Sequence, residues 1–447
     1  MSMKHKPQEL REILVNLIQR LTDNPEENIR NPERDFLRNR KLPLDKLVWN
    51  ILAMGGDSLT NELLKQSDCA VNIATSAAFV QQRAKLLPSA FENLFHGFVH
   101  KTRANNLFKG YRILAVDGSD IHIPSNKNDV DSLYQTNENR KEYNLLHLNA
   151  LYDIRRHTYE DVVISKSRLS NENKALVDMV DRSEVDTAAL IIADRGYESY
   201  NNMAHIKEKG WKYLIRIKDY AAHSSGILHG LKLPDTDEFD TEIDLNLTKK
   251  KSNEVKELLK DKNRYRCIST DKTFDYLPRK SKKSDPTVMY NLPFRIVRFK
   301  ITDDTYEVVV TNLDNTDFPA QALKELYFMR WGIETSFRDL KYTVGLLHFH
   351  SKKVEYILQE IFARLIMYNF SKLIISNIII EKKDRKYDYK VNFSVAVHIC
   401  RKFLLGSVSP LNIETLIARY ITPIRPGRSS PRRMTSKTVI SFMYRVA

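Results

Sequence analysis

The sequence predicts an α/β protein built around one mixed sheet, and three observations carry that reading. From Tyr111 to Ile217 the apolar periodicity runs strand, strand, strand, helix, strand, helix, strand. Within it, Ala188-Ala-Leu-Ile-Ile-Ala193 is a continuous apolar run of the length expected for a central strand buried on both faces. Of the 447 residues, 42% are hydrophobic and 28% charged, which excludes a disordered chain, and 13 Gly with 15 Pro exclude a collagen-like one.

Residues 1–105 have helical spacing, as in Leu10, Ile13, Leu14, Leu17 and again in Leu44, Leu47, Val48, Ile51, with Pro43 suited to a first turn. The short stretch Ser76 to Lys85 reads as a packing helix or as one that lies against DNA. Strands are expected at Ile113–Val116, Leu145–Tyr152, Tyr159–Ser165, Ala188–Ala193 and Tyr213–Ile217, with helices near Asn173–Arg182 and Asn202–Lys209. Residues 218–320, with polar connectors and strands near Phe294–Phe299 and Tyr306–Thr311, read as a β-rich insertion. Helical spacing resumes in 321–380. Its most apolar part, Ile361 to Ile380, contains Arg364, Asn369, Lys372 and Asn377 and therefore reads as a buried helix and not as a membrane span.

The charge is uneven. The net charge is +15, and residues 381–447 hold fourteen Lys/Arg against four Asp/Glu, including the Pro/Arg segments Pro423–Arg428 and Pro431–Arg433, expected to be extended and exposed. Concentrated positive charge suits a polyanion, because each neutralised phosphate releases counterions. Nucleic acid is the expected partner and no membrane is. Three scattered cysteines and a start without a signal-peptide core suit a cytoplasmic protein.

Three carboxylates stand where chemistry can use them. Asp117 lies in Ala115-Val-Asp-Gly-Ser119 at the end of the first strand, and Asp194 follows the central run in Ala193-Asp-Arg-Gly-Tyr197. Open α/β sheets place ligand sites at such strand ends. Taken singly, each aspartate reads as a turn or cap residue. The third, Glu334, lies in Tyr327-Phe-Met-Arg330-Trp-Gly-Ile-Glu334-Thr-Ser-Phe-Arg-Asp-Leu-Lys341. On one continuous helix, Tyr327, Arg330, Glu334 and Lys341 form a polar stripe beside an apolar stripe of Leu326, Met329, Ile333, Phe337 and Leu340. Alone, that row reads as a solvated face; beside two strand-end aspartates it suits cation and phosphate binding. Three hard-oxygen ligands favour Mg²⁺, or Mn²⁺, over zinc.

These residues resemble the D-D-E transposases of bacterial insertion sequences, in particular the family-four group with the Y-(2)-R-(3)-E-(6)-K signature, which Tyr327, Arg330, Glu334 and Lys341 match without a gap. The similarity covers about residues 35–435. It implies a ribonuclease-H-like core in two parts, 106–217 and 321–380, interrupted by the insertion at 218–320, with a DNA-binding region at 1–105 and dimerisation and DNA contact at 381–447. It also implies Asp117, Asp194 and Glu334 as metal ligands, and Tyr327, Arg330 and Lys341 as contacts to a phosphate. Trp331 resembles a residue that keeps a base flipped out, and Arg216 with Lys218 resembles a further phosphate-contact pair. Related enzymes can stack that base on an insertion Trp; residues 218–320 have none, and Tyr265, Tyr290 and Tyr306 are the substitutes. The implied activity is cut-and-paste transposition through a hairpin by a homodimer on double-stranded DNA. The alternatives are a structure-selective nuclease without strand transfer and a non-catalytic DNA-binding inhibitor.

Overall fold

The computed structural model describes residues 5–38, 41–134, 142–219, 226–278, 285, 287–381 and 386–425. Most of the Pro/Arg segment, from Pro426 onward, and most of the connector at 280–286 lie outside these. Five helices come first: α1 (Pro7–Asp23), α2 (Leu44–Ala53), α3 (Leu59–Gln66), α4 (Ser76–Arg83) and α5 (Ser89–Thr102). Local chemistry starts two of them, since the Ser58 and Thr75 hydroxyls accept the backbone N–H groups of Asn61 and Ala78. Then follow β1 (Arg112–Ile123), β2 (Leu133–Tyr134), β3 (Tyr143–Asp153), β4 (Thr158–Lys166), α6 (Glu172–Asp181), β5 (Ala189–Ala193), α7 (Tyr200–Glu208) and β6 (Lys212–Ile217). The next part holds β7 (Phe239–Thr248), α8 (Asn253–Leu258), β8 (Tyr265–Cys267), β9 (Tyr290–Thr302) and β10 (Thr305–Thr311). The chain continues through α9 (Ala320–Met329), α10 (Trp331–Arg338), α11 (Val354–Ile375), β11 (Tyr389–Val391), α12 (Phe393–Leu404), α13 (Ile413–Ala418) and β12 (Ile421–Pro423).

The strand order β2-β3-β1-β5-β6-β10-β9-β7-β8, with β4 also on β3, makes one mixed ten-stranded sheet among the described residues. β1, β5 and β6 run parallel to one another, while β3 runs antiparallel beside β1 and β4 runs antiparallel beside β3. The strands of 218–320 do not stand apart: β10 pairs antiparallel with β6, Val309 opposite Arg216, and β9 and β7 extend the same sheet. Edge hydrogen bonds of β6 are thus satisfied by β10, which joins residues 218–320 to the same sheet beside Arg216.

Alternation along β1 divides the interior. Ile113 and Ala115 pack with the helices on one face, including α10 and α11, and Leu114 and Val116 pack with α6 and α7 on the other. α11 is buried over most of its length and packs against α2, α5 and α12; no helix among the described residues is long and apolar enough to cross a membrane. α10 buries Ile333 and Phe337 against the sheet, each side chain contributing about 1.5–3 kcal/mol. Below it, the hydroxyls of Tyr159 and Ser336 lie 2.9 Å apart, and the Asn369 amide on α11 exchanges two 2.8 Å hydrogen bonds with the Tyr159 backbone. These contacts fix the rotation of α10.

Candidate active site

Sheet register sets two of the carboxylates. Val116 pairs with Ala193 in the last parallel step between β1 and β5, so Asp117 and Asp194 stand at the same level. Asp194 is the first residue beyond β5, but Asp117 is not at the expected strand end, because β1 runs on to Ile123 and Asp117 stays in it opposite Ala150 of β3. The third comes from the helix layer. α9 ends at Met329, Arg330 keeps helical φ/ψ between the two helices, and Glu334 lies one turn into α10. The expected single straight helix ends differently: a π-helical turn, Asp339–Thr343, follows α10. That turn shifts the phase of Lys341, whose Nζ donates to the Asp120 carbonyl at 2.6 Å. Lys341 therefore bonds to the β1 backbone, apart from the Arg330–Glu334 pair.

Arg330 is the centre of the arrangement. It is 4% exposed; its Nη2 donates to Glu334 Oε1 at 2.8 Å and its Nη1 lies 3.5 Å from Asp117 Oδ2. Asp194 is held by a different arginine, Arg216, whose Nη2 lies 2.7 Å from Oδ1 and whose Nη1 donates to Glu307 Oε1 at 2.9 Å. The Tyr327 ring lies beneath both guanidinium groups, 5.9 Å from Arg216 and 5.8 Å from Arg330.

The two aspartates differ in electrostatics. Burial drives the Asp117 pKa up to about 6; Arg330 and the Gly118 N–H oppose this, while Glu334 and Asp194 add to it. Burial acts against the Asp194 charge too, but the Arg195 N–H, Arg216 and Arg330 outweigh it and lower its pKa. Burial lifts the Tyr327 phenol to about 12 against the pull of Arg330 and Arg216, so it stays a hydrogen-bond donor at neutral pH. Among the described residues, the Tyr327 hydroxyl and Arg330 Nε and Nη1 have no hydrogen-bond partner. Buried donors in that condition are costly unless an acceptor arrives.

The remaining expected residues lie around this centre. Trp331 is 50% exposed, with Arg330 5.7 Å from its ring. Lys218 is exposed and lines, with Arg195, Arg216 and Tyr306, a cavity of about 240 Å³. Of the three tyrosines, Tyr290 donates to Glu208 at 2.6 Å, Tyr265 lies on the edge strand β8, and Tyr306 faces that cavity with Arg298 4.2 Å from its ring. Glu307, which shares Arg216 with Asp194, had no signal in the sequence: it is one acid among many until β10 pairs with β6.

The model of the transposase DDE domain matches residues 108–370, which span β1 to α11 and include all three carboxylates. The chain belongs to this DDE transposase family. No curated protein matches it. Among solved structures, this transposase is similar to the piggyBac transposase in a synaptic complex with hairpin DNA, at 10% identity over 95% of this chain and 87% of that one, with a TM-score of 0.46.

DDE transposases generally use divalent metal ions. In this one no group of three or more His, Cys, Asp or Glu among the described residues is gathered closely enough to hold a metal ion, since Arg330 stands between Asp117 and Glu334. The donor chemistry nonetheless fits a hard cation: Asp117 and Glu334 share one guanidinium whose charge Asp194 also feels, and Asp117 is already pushed up by burial and by its acidic neighbours.

Proposed function

We propose that this DDE transposase is a metal-dependent enzyme of the insertion-sequence type with the Y-R-E-K signature, cleaving transposon ends and transferring the freed strand to target DNA. The observation that carries the reading is the shared level of Asp117 and Asp194 on adjacent parallel strands, with Arg330 reaching from Asp117 to Glu334. Asp117, Asp194 and Glu334 would hold Mg²⁺ or Mn²⁺. When bound there, such ions supply charge relief to the attacking and leaving oxygens of a phosphodiester. Tyr327, with its unpaired phenol, and Arg330, with its unpaired Nε, would grip a phosphate by charge-assisted hydrogen bonds, with Lys341 and the Arg216/Lys218 pair on its flanks. Trp331 and Tyr306 are the residues we assign to an extrahelical base, Tyr306 because it faces the cavity beside Arg195 and Arg216.

We extend the reading to the chain as a whole: a ribonuclease-H-like core in 106–217 and 321–380, end recognition by 1–105, and pairing of two copies on DNA through 381–447, with a hairpin intermediate. The test is to incubate the chain with its flanking terminal sequences and Mg²⁺ and map the strand products. Hairpin ends and joined target are expected, and Glu334→Gln should abolish both while specific end binding persists. Cleavage without joining would favour the nuclease reading. Binding without cleavage in the unaltered chain would favour the inhibitor.

A further inference from the structure

Behind the two aspartates, on the sheet face opposite Arg330, lies a second ionic cluster. Gly118 and Asp120 share the β1 face of Leu114 and Val116, and across the ladder they pair with Asn149 and His147 of β3. The His147 ring is 12% exposed and bridges two acids: Nδ1 is 2.8 Å from Asp120 Oδ1, and Nε2 is 3.3 Å from Glu172 Oε1 at the start of α6. Glu172 reaches this place because the residues in front of it lack side chains. A Cβ on Gly118 would lie 2.7 Å from Glu172 Oε1 and 2.5 Å from His147 Nε2, and a Cβ on Gly196 would lie 3.1 Å from Glu172 Oε2. One of these glycines follows Asp117 directly, and the other is two residues beyond Asp194. A single carboxylate thus rests against the backbone beside both aspartates.

The chemistry of the bridge explains why it is a histidine. Asp120 and Glu172 repel, and a flat cation between them offsets both charges, hydrogen-bonded to Asp120 through Nδ1 and held to Glu172 by charge alone at Nε2. Burial pulls the His147 pKa down, but the two carboxylates outweigh it and raise it to about 9, so the ring is doubly protonated at neutral pH. The same Asp120 accepts Lys341 at its carbonyl, which ties the cluster to the end of the signature segment.

We propose that His147 is a positioning residue for Asp117 and Asp194: clasped by Asp120, it seats Glu172 against Gly118 and Gly196 and so sets the separation of the two aspartate carboxylates. The proposal rests on the reading of those aspartates as cation ligands. Groups that orient metal ligands typically govern affinity by about 10–100-fold.

The test uses the full chain without DNA and follows Mn²⁺ binding through the paramagnetic signal of the free ion, so no turnover is needed. His147→Ala should weaken Mn²⁺ binding by about tenfold or more, millimolar imidazole should restore part of the loss, and Glu172→Gln should weaken it several-fold. Gly118→Ala should also weaken binding, and by less in the His147→Ala background, where one of the two colliding groups is gone. Asp117→Asn serves as the reference. If it removes Mn²⁺ binding while His147→Ala and Glu172→Gln stay within twofold of the unaltered chain, the positioning role is wrong and the cation site stands. If Asp117→Asn leaves binding unchanged, the reading of the site fails and the inference with it. Weakening in His147→Ala that imidazole does not reverse, with Glu172→Gln like the unaltered chain, means general loosening and also overturns the proposal. Should His147→Ala not fold, Glu172→Gln and Gly118→Ala decide between the same outcomes.

Discussion

Arg83→Met would remove the cation at the centre of the join between the N-terminal helices and α11. Arg83, on α4, is 1% exposed; it donates from Nη1 to Glu360 Oε1 at 2.7 Å, from Nε to Gln359 Oε1 at 2.8 Å, and from Nη2 to the Tyr356 carbonyl. Its loss leaves the Glu360 carboxylate buried with His350 at 3.0 Å and Arg364 at 3.9 Å. Removing one partner of a buried pair costs about 3–5 kcal/mol, and because Arg364 and the hydrogen bonds from His350 remain at Glu360 the lower end applies, about 3 kcal/mol. That is roughly a hundredfold in the folding equilibrium. Urea unfolding followed by tryptophan fluorescence, with Trp49 on α2 among the three reporters, measures it. Arg83→Met/Glu360→Gln should be more stable than Arg83→Met, because the uncompensated charge is gone. The acid side gives a second check. Burial raises the Glu360 pKa, but Arg83, His350 and Arg364 outweigh it and hold the carboxyl at about 2, below its ordinary 4.5. A depressed carboxyl pKa contributes stability that is fully present above 4.5 and lost as pH falls from there towards 2. The slope in this window should flatten in Arg83→Met. A change below about 1 kcal/mol with an unaltered acid slope would refute the buried network as the tie between these regions.

Two further outcomes follow from the site. Tyr327→Phe deletes a buried hydroxyl that has no partner, so thermal unfolding should stay level or rise, by up to about 1 kcal/mol, while end cleavage falls; a clear loss of stability would mean the hydroxyl already has a partner in the folded protein. Lys341→Met should weaken binding to unrelated and terminal DNA alike and reduce the slope of log K against log salt by about 0.9; an unchanged slope, read by fluorescence anisotropy, would remove Lys341 from the phosphate contacts.

Much of this architecture is local in origin. The run Ala188–Ala193 is apolar on both sides because β5 is central, and the strand is where the run is. Asp194 was visible as a strand-end residue because it directly follows such a run; Asp117 drew notice for the same reason, but its strand continues to Ile123, and the signature spacing marked Tyr327, Arg330 and Glu334. The helical reading of that signature missed the π-turn at Asp339–Thr343, since a 100° step is assumed before any contact can bend it. The strands of 218–320 were legible one by one, but not their partners: a strand's alternation states which face is buried and is silent on which edge it meets.

Chain order and side-chain type thus settled the element types, the acidic triad as candidates and the basic excess, because periodicity and charge are properties of neighbours along the backbone. Folding alone brought Arg330 between Asp117 and Glu334, gave Arg216 jointly to Asp194 and Glu307, and set His147 against Asp120 and Glu172 behind two bare glycines. Those meetings depend on sheet register and helix rotation, and both are set by the sum of many packing contacts that no short segment contains.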